Sequence, residues 1–468
     1  MSEGVSNLIQ KCENWFILLP AIIVFCLVLI PTLKYQWPLS WDIFYHIHLS
    51  ELYFQNGLTY WDMLTYAPYG RPIYYAPLFH FTLLNISKIF NISLFDAARY
   101  LQPVLTSLIV LSFSLAVSRI YNSTAGFLTG IFVMFTPLFY RMVLPIPEAM
   151  AMMFLPLIGL FYYLSLENND FKYALLAGIF WGLTLLTHML SAGIIILVII
   201  VFTIISKIKN RDTRVKYFIL FSVIGLFIAA IWWLPLLIKY GYVFKSPPAE
   251  GYLPDRYMDV FGSIPFIFGA IGILHLLQRK EKRDILFISW LFTVLVVSLS
   301  FFIGVPVITD RILTFAVFPL MALASIGVGR VNFNRDKKPF YVLIILITIL
   351  GSYSGYITLQ KGQIAVSDSE IDIAQWFKNN GDKTRVAVFD NFLMDPVVVS
   401  ISKQPVSAGG YAPGMVNAID INKYLSGNFT SSEIDMDNVG YLILKNNATD
   451  PPYGEVVYQN KAYKIFQF

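Results

Sequence analysis

The chain has 468 residues, of which 57% are hydrophobic and only 13% charged, and its mean hydropathy is +0.63. A soluble domain is roughly 45–50% apolar and about 25% charged, so this little charge cannot cover a water-facing surface and the bilayer must be the main solvent. The net charge of +5 is too mild to suggest nucleic-acid binding.

Two cysteines, Cys12 and Cys26, leave no disulfide framework or Cys-type metal site to build. The first apolar run, Trp15 to Leu33, is long enough to span and lacks the small-residue cleavage site of a secretory signal, so it reads as a retained first helix. Ten more apolar windows follow, at roughly 97 to 118, 124 to 141, 147 to 166, 172 to 189, 190 to 206, 215 to 238, 260 to 278, 285 to 304, 310 to 329 and 339 to 359, each near the ~20 residues a membrane helix needs. The segment Leu78 to Phe90 is shorter and contains His80, Asn85 and Lys88, which suits an interfacial or re-entrant helix.

Positive charge orients the chain, because cytoplasmic loops carry the excess of Lys and Arg. The basic loops are Lys207, Lys209, Arg211, Arg214 and Lys216; Arg279, Lys280, Lys282 and Arg283; and Arg330, Arg335, Lys337 and Lys338. About eleven spans with a cytoplasmic N-terminus, favoured by Lys11, put all three inside. Residues 34–96, the turns at 142–147, 187–191 and 305–310, residues 239–259 and everything after 360 then lie outside. The outer stretches hold Asp42, His46, His48, Glu51, Asp62, Arg71 and His80, and later Arg141, Glu148, His188, Asp255, Arg256, Asp259, Asp310 and Arg311. Polar residues at span edges are costly in lipid and face a cavity or one another.

In the first outer segment, WDIFYHIHLSELYFQNG, the residues Trp41, Phe44, Tyr45, His48, Leu49, Leu52 and Tyr53 share one face at helical spacing, which predicts an amphipathic helix at the membrane surface. Asp42 and His46 meet four apart, His48 and Glu51 three apart. A carboxylate beside an imidazole can bind a divalent cation or act as an oriented base. A plainer reading makes the aromatics an interfacial belt and Asp42 a helix cap, a part Ser40 could equally play. The next stretch, LTYWDMLTYAPYGRPIYYAPLFHF, has too many aromatics for a flexible linker and reads as ordered loop packed on a cavity.

From residue 360 onward turn pairs appear (Gly409-Gly410, Pro413-Gly414, Asn446-Asn447, Pro451-Pro452) and apolar runs shorten, marking a small soluble α/β domain on the outer face, separate from a membrane domain over 1–359. Ser369 to Asn380 reads as a helix stopped by Gly381. Arg385–Phe389, Val397–Ile401, Val439–Leu444, Val456–Tyr458 and Tyr463–Phe468 read as strands. Asn85, Asn91, Asn428 and Asn447 open N-x-Ser/Thr triplets on the same side, which are common by chance.

A long first helix, an outer segment with an acid shortly before Tyr45-His46, and then YGRPIYYAPLFH resemble the GT-C superfamily of polyprenyl-linked-sugar glycosyltransferases, and within it the catalytic subunits of oligosaccharyltransferases. Arg141 and Glu148, in GFLTGIFVMFTPLFYRMVLPIPEAMAMMF, stand where that family has its second acidic motif, with Pro147-Glu148 replacing Asp-Asn-Glu or Asp-Thr-Glu. Arg311, in DRILTFAVFPLMALASIGVG, stands where a late span places an Arg near the donor phosphate. The family's Trp-Trp-Asp acceptor motif is missing, since Trp376 is the only tryptophan after residue 360. Its long outer loop is also shortened, with only Glu250, Asp255 and Asp259 as acids.

The resemblance implies transfer of a sugar or glycan from a polyprenyl or dolichyl phosphate or diphosphate to a glycan or protein acceptor outside the cell membrane, with protein N-glycosylation disfavoured by the departures. It makes Asp42 the base or metal ligand with Glu148 its partner, Mg²⁺ or Mn²⁺ the fitting cation for oxygen ligands, and Arg311, Arg141 and Arg256 the phosphate holders. His46, His48, His80, Tyr66, Tyr69, Arg71, Tyr74 and Tyr75 would line the cavity. The alternatives are a transporter or flippase of lipid-linked glycans and a non-catalytic surface protein; transporters usually show internal repeats and midplane charge, whereas charge here gathers at one face.

Overall fold

In the computed structural model of the chain the described residues are 15–210, 215–241, 251–252, 254–279, 281–330, 338–361, 366–409 and 417–468. Lys11, Cys12, Arg211, Arg214, Glu250, Lys280, Arg335, Lys337, Gly410 and Pro413-Gly414 fall outside them.

Helix is found in every one of the eleven apolar windows. Among the described residues, five helices are long and apolar enough to cross a membrane: Leu94–Ile120, Pro147–Asn168, Met189–Ile208, Val215–Tyr240 and Lys338–Lys361. Pro254–Phe261 and Ser263–Arg279 form a bent pair, at 112°, that passes the same test together. The chain is thus a multi-pass membrane protein. Along Val215–Tyr240 the exposed residues Ile219, Val223, Phe227, Ile231, Leu234 and Ile238 recur every three or four positions, a stripe of one helix face offered to lipid. The window at 124–141 is not one helix: Ser123–Phe132 tightens into a 3-10 turn over Val133–Phe135 and breaks at Thr136 before Phe139–Val143 resumes. Thr136 is extended, as the residue before a proline prefers.

The chain divides into two compact units. The first comprises residues 1–36, 100–232 and 247–363, and the second residues 37–99, 233–246 and 364–468. In the first unit, helices Ser263–Arg279 and Val317–Val328 pack backbone to backbone. A methyl added at Gly272 would strike the Leu323 carbonyl, and one at Gly327 the Phe268 carbonyl. Such close approach is how apolar helices associate where lipid offers no hydrophobic drive.

In the second unit the helix Asp42–Asn56 is buried from Ile43 to Ser50 without a break, and it packs against the helices Leu78–Phe90 and Met394–Ser402. The one-sided surface helix expected from its aromatic face is therefore replaced by a core helix, because protein covers the faces that spacing had left to water. The C-terminal sheet runs β3-β4-β6-β5, with β3 Val386–Phe389, β4 Val439–Lys445, β5 Glu455–Gln459 and β6 Tyr463–Gln467. β3 and β4 are parallel and the other pairs antiparallel. Helix Asp368–Asn380 starts at a reciprocal Ser367–Glu370 capping box, one residue before the start expected from the sequence.

Val397–Ile401, expected as a strand, lies inside the helix Met394–Ser402, all of whose residues are buried. β-Branched residues favour strands only weakly, and packing on two neighbouring helices outweighs that preference. The outer-loop residues Leu64 to Tyr66 run beside Val406 to Ala408: Val406 N–H donates to Leu64 at 2.8 Å and Ala67 N–H to Val406 at 3.0 Å. Residues 37–99 and the C-terminal segment are therefore one folded body.

Candidate active site

The second unit brings together most of the polar residues of the outer segment. Asp42 opens its helix with its amide donating to Ser40 Oγ at 3.2 Å, while the N-cap residue Trp41 makes no side-chain capping bond. The Asp42 side chain is 35% exposed at the start of a helix buried from Ile43 to Ser50, and its Oδ2 lies 4.0 Å from His46 Nε2. The fully buried His46 joins through Nδ1 to His80 Nε2 at 3.0 Å. Tyr75 stands edge-on to the His46 ring, 4.7 Å between centroids. Burial holds the His80 imidazole at about 3, so that it is neutral at physiological pH.

The expected His48–Glu51 pair does not form. His48 Nε2 instead meets Asp62 Oδ2 at 3.0 Å, both residues being buried, while Glu51 pairs with Lys403 at 3.6 Å. Asp62 also accepts from Thr65 Oγ1 at 2.6 Å and from the Leu64 amide at 3.0 Å. Burial pushes this carboxyl up, but His48, Arg71 and Thr65 together outweigh burial and hold it at about 2. It sits in a short antiparallel pair, β1 Trp61–Asp62 with β2 Arg71–Pro72. The turn between them needs Gly70, whose φ is +70° and where a Cβ would lie 2.5 Å from Trp61 Nε1.

Arg71 is fully buried. Its guanidinium lies between the Tyr45 and Tyr66 rings, 4.8 Å from each centroid, and donates to the Gly409 carbonyl at 3.0 Å. Asp395 belongs to the same neighbourhood: it accepts the Ala408 amide at 2.9 Å, and burial, opposed by that amide and by Arg71, raises its carboxyl to about 8. Tyr74 spends its hydroxyl on the Tyr240 and Gly241 carbonyls, at 3.2 and 2.8 Å. Among the cavity residues expected from the sequence, His46, His48, His80, Arg71 and Tyr74 are thus packed inside, and Tyr66, Tyr69, Tyr75 and Asp42 reach the surface. Sequence reasoning misses Asp395, whose only signal is an acid opening the apolar run PVVVSI.

In the first unit the chain folds back between the helices Phe139–Val143 and Pro147–Asn168. Pro147 begins the second helix and Glu148 follows in its first turn, where a carboxylate complements the helix dipole. Arg141 grips it with Nε at 3.2 Å from Oε1 and Nη2 at 3.0 and 2.8 Å from the two oxygens. Both Arg311 and His188 act electrostatically on Glu148, and His188 is further held by Ser191 Oγ at 2.7 Å. Arg141, Glu148, His188 and Arg311 thus form one cluster, and Arg311 makes no hydrogen bond or ion pair within it among the described residues. Its neighbour Asp310 is taken by the Tyr252 hydroxyl. Arg256 is exposed on a short turn, Pro254–Arg256, near Tyr252. Glu250 lies outside the described residues.

Among the described residues no three His, Cys, Asp or Glu side chains converge as a metal site. Both Glu148 oxygens face Arg141, and the Asp42 carboxylate has the His46 imidazole beside it.

A family profile described as Dolichyl-phosphate-mannose-protein mannosyltransferase matches residues 72–233. No curated protein sequence matches. Among solved structures, the oligosaccharyltransferase of Archaeoglobus fulgidus is similar with TM-score 0.73 at 14% identity, over 92% of this chain and 69% of that one; the same enzyme is also known with an inhibitory peptide and a dolichol-phosphate. ArnT from Cupriavidus metallidurans, bound to undecaprenyl phosphate, has TM-score 0.68 at 12% identity over 98% of both chains. The arabinofuranosyltransferase AftD from Mycobacteria has TM-score 0.63 at 12% identity, over 97% of this chain and 41% of that one. The fold is that of the GT-C superfamily, and the chain resembles oligosaccharyltransferases.

Proposed function

We propose that the chain is a membrane glycosyltransferase that moves a sugar from a polyprenyl or dolichyl phosphate to an acceptor on the outer face, with its C-terminal domain on that face. The observation that carries this reading is the cluster of Arg141, Glu148, His188 and Arg311, in which one guanidinium is neutralised by a carboxylate and a second is left for an anion. Solved relatives of this fold hold dolichol-phosphate and undecaprenyl phosphate, the same class of ligand.

The chemistry assigned to the chain's own residues is simple. The acceptor's nucleophilic atom attacks the anomeric carbon of the donor sugar as the carbon–oxygen bond to phosphate breaks, and its proton passes to the Asp42 carboxylate. The polyprenyl phosphate leaves with the bonding electrons as negative charge. Asp42 of the second unit is the base proposed here, and Arg311 of the first unit is the guanidinium proposed for such a phosphate. Glu148 keeps Arg141 in place, and the buried His46 sets the side of the Asp42 carboxylate. No step is routed through a metal. Trp376 packs edge-on against Phe377 and Tyr441, at 5.1 and 5.9 Å; with no Trp-Trp-Asp motif, a glycan or lipid acceptor fits better than a protein sequon.

The test is to supply the purified protein with sugars linked to polyprenyl monophosphate and diphosphate, with glycan and peptide acceptors, and to measure transfer and release of the lipid phosphate. Transfer from one donor class is expected. Silence with every donor and acceptor, together with movement of the lipid-linked sugar across vesicles, would make the protein a flippase instead.

A further inference from the structure

At the other end of the first unit the helices close around a second polar feature. A cavity of about 370 Å³ has Tyr121, Asn122, Leu128, Arg279, Arg330 and Phe340 in its wall. Helix Ser123–Phe132 begins there, and the chain from Ser123 to Phe135, about 20 Å of helical rise, separates it from the segment that carries Arg141. Helix Val317–Val328 likewise ends at this cavity, while Arg311 precedes its start. The two charge clusters therefore stand at opposite ends of the same helices, and the proposed transfer does not use this one.

The charges in the cavity do not cancel. Arg279 spends its Nε on Asp284 at 2.9 Å and on Glu281 at 3.2 Å, and a second N–H on Asp284 as well. Arg283 takes Glu281 at 2.7 Å. Two arginines thus balance two carboxylates. Arg330 is left over: it is exposed and makes no side-chain hydrogen bond or ion pair among the described residues. The helix beginning at Ser123 adds the positive end of its dipole, since Asn122 and Thr124 stand in the wall. Ala125, Leu128, Ile326 and Phe340 give the wall an apolar flank, and the hydroxyls of Tyr121 and Ser325 are bonded to Asp284 and the Ala322 carbonyl. A site with a spare guanidinium, an oriented dipole and an apolar flank matches a phosphate ester on an aliphatic stem. Its volume suits such a headgroup, binding pockets being about 300–1,000 Å³.

Sidedness narrows the source. Arg279 and Arg330 adjoin the second and third basic loops, which positive charge assigns to the cytoplasm, and basic pockets between membrane helices on that side are where anionic headgroups bind. We propose that this cavity binds the phosphate of an anionic membrane lipid of the inner leaflet, with Arg330 as its phosphate ligand.

The test uses the full-length protein in a neutral detergent. Phosphatidylglycerol is expected to raise the thermal unfolding midpoint and to remain bound in native mass spectrometry, whereas phosphatidylcholine does neither. Arg330→Ala should lose the shift and the bound lipid, and Arg330→Lys should keep part of both. Thr124→Trp, which fills the cavity while leaving both arginines, should also lose them, guarding against a purely nonspecific charge effect. An equal shift from glycerol 1-phosphate would make the site one for free phosphate esters and overturn the lipid assignment. A phosphatidylglycerol shift that survives in Arg330→Ala and Thr124→Trp, or no shift in the wild type, would overturn the site itself.

Discussion

Arg71 and Arg311 both sit beside carboxylates and histidines, yet they are built for different ends. Arg71 is sealed between two tyrosine rings, and its donor reaches a backbone carbonyl. Arg311 is half-buried beside an Arg141–Glu148 pair that has already neutralised itself. The sequence motif around Arg71 is the more conspicuous, but its charge is consumed in holding two segments of the chain together. A charged residue is free for a ligand only after its neighbours' demands have been met.

The largest expected effect lies on the structural side of this comparison. Asp62→Asn or His48→Ala leaves one member of a buried pair uncompensated, which costs about 3–5 kcal/mol; denaturant unfolding should show that loss, and a change below about 1 kcal/mol would mean the network is dispensable. On the ligand side, Arg311→Gln should lower kcat/KM for the lipid-linked donor by about 10²–10³ with the unfolding curve unchanged. If it unfolds the protein instead, Arg311 is a second Arg71.

A smaller effect is pH-dependent. The folded Asp395 carboxyl, at about 8, is raised above its unfolded value of about 3.9. Its contribution is thus fully present below about pH 4 and is lost as pH rises through 8. Asp395→Asn, which keeps an oxygen for the Ala408 amide, should flatten the decline of stability between pH 5 and 8, whose slope from this carboxyl is up to about 1.4 kcal/mol per pH unit. An unaltered slope would show that Asp395 is ionised in the fold. Asp62 contributes nothing to that window: its depressed value of about 2 places its loss of stability below pH 4. The smallest effect is expected from chelation. With Glu148 gripped by Arg141, EDTA should leave transfer unchanged, and a strong inhibition would return the cation to the site.

Legibility in the sequence follows the range of the interaction. Apolar windows locate helices because burial in lipid needs only local composition, and β3, β4, β5 and β6 are legible as short apolar runs between turns. The Asp42–His46 approach is also local, fixed by one helical turn. What the sequence hides needs distant partners. His48 chooses Asp62 over Glu51 because the β1–β2 turn carries Asp62 under the helix, and Val397–Ile401 is helix because two other helices cover it. The burial of Asp42–Asn56 depends on Met394–Ser402, more than 300 residues later, which no helical wheel can show. The Arg141–Glu148 grip needs the break at Thr136 and the turn before Pro147, and the sequence offers only the two residues and their order.

The most direct measurement of the role given to Asp42 is single-turnover transfer from a polyprenyl-phosphate sugar by Asp42→Asn beside the wild type, with unfolding followed on the same samples. Asp42→Asn is expected to fold with unchanged stability and to transfer about 10²–10⁴-fold more slowly. Undiminished transfer by a folded Asp42→Asn protein would contradict that role.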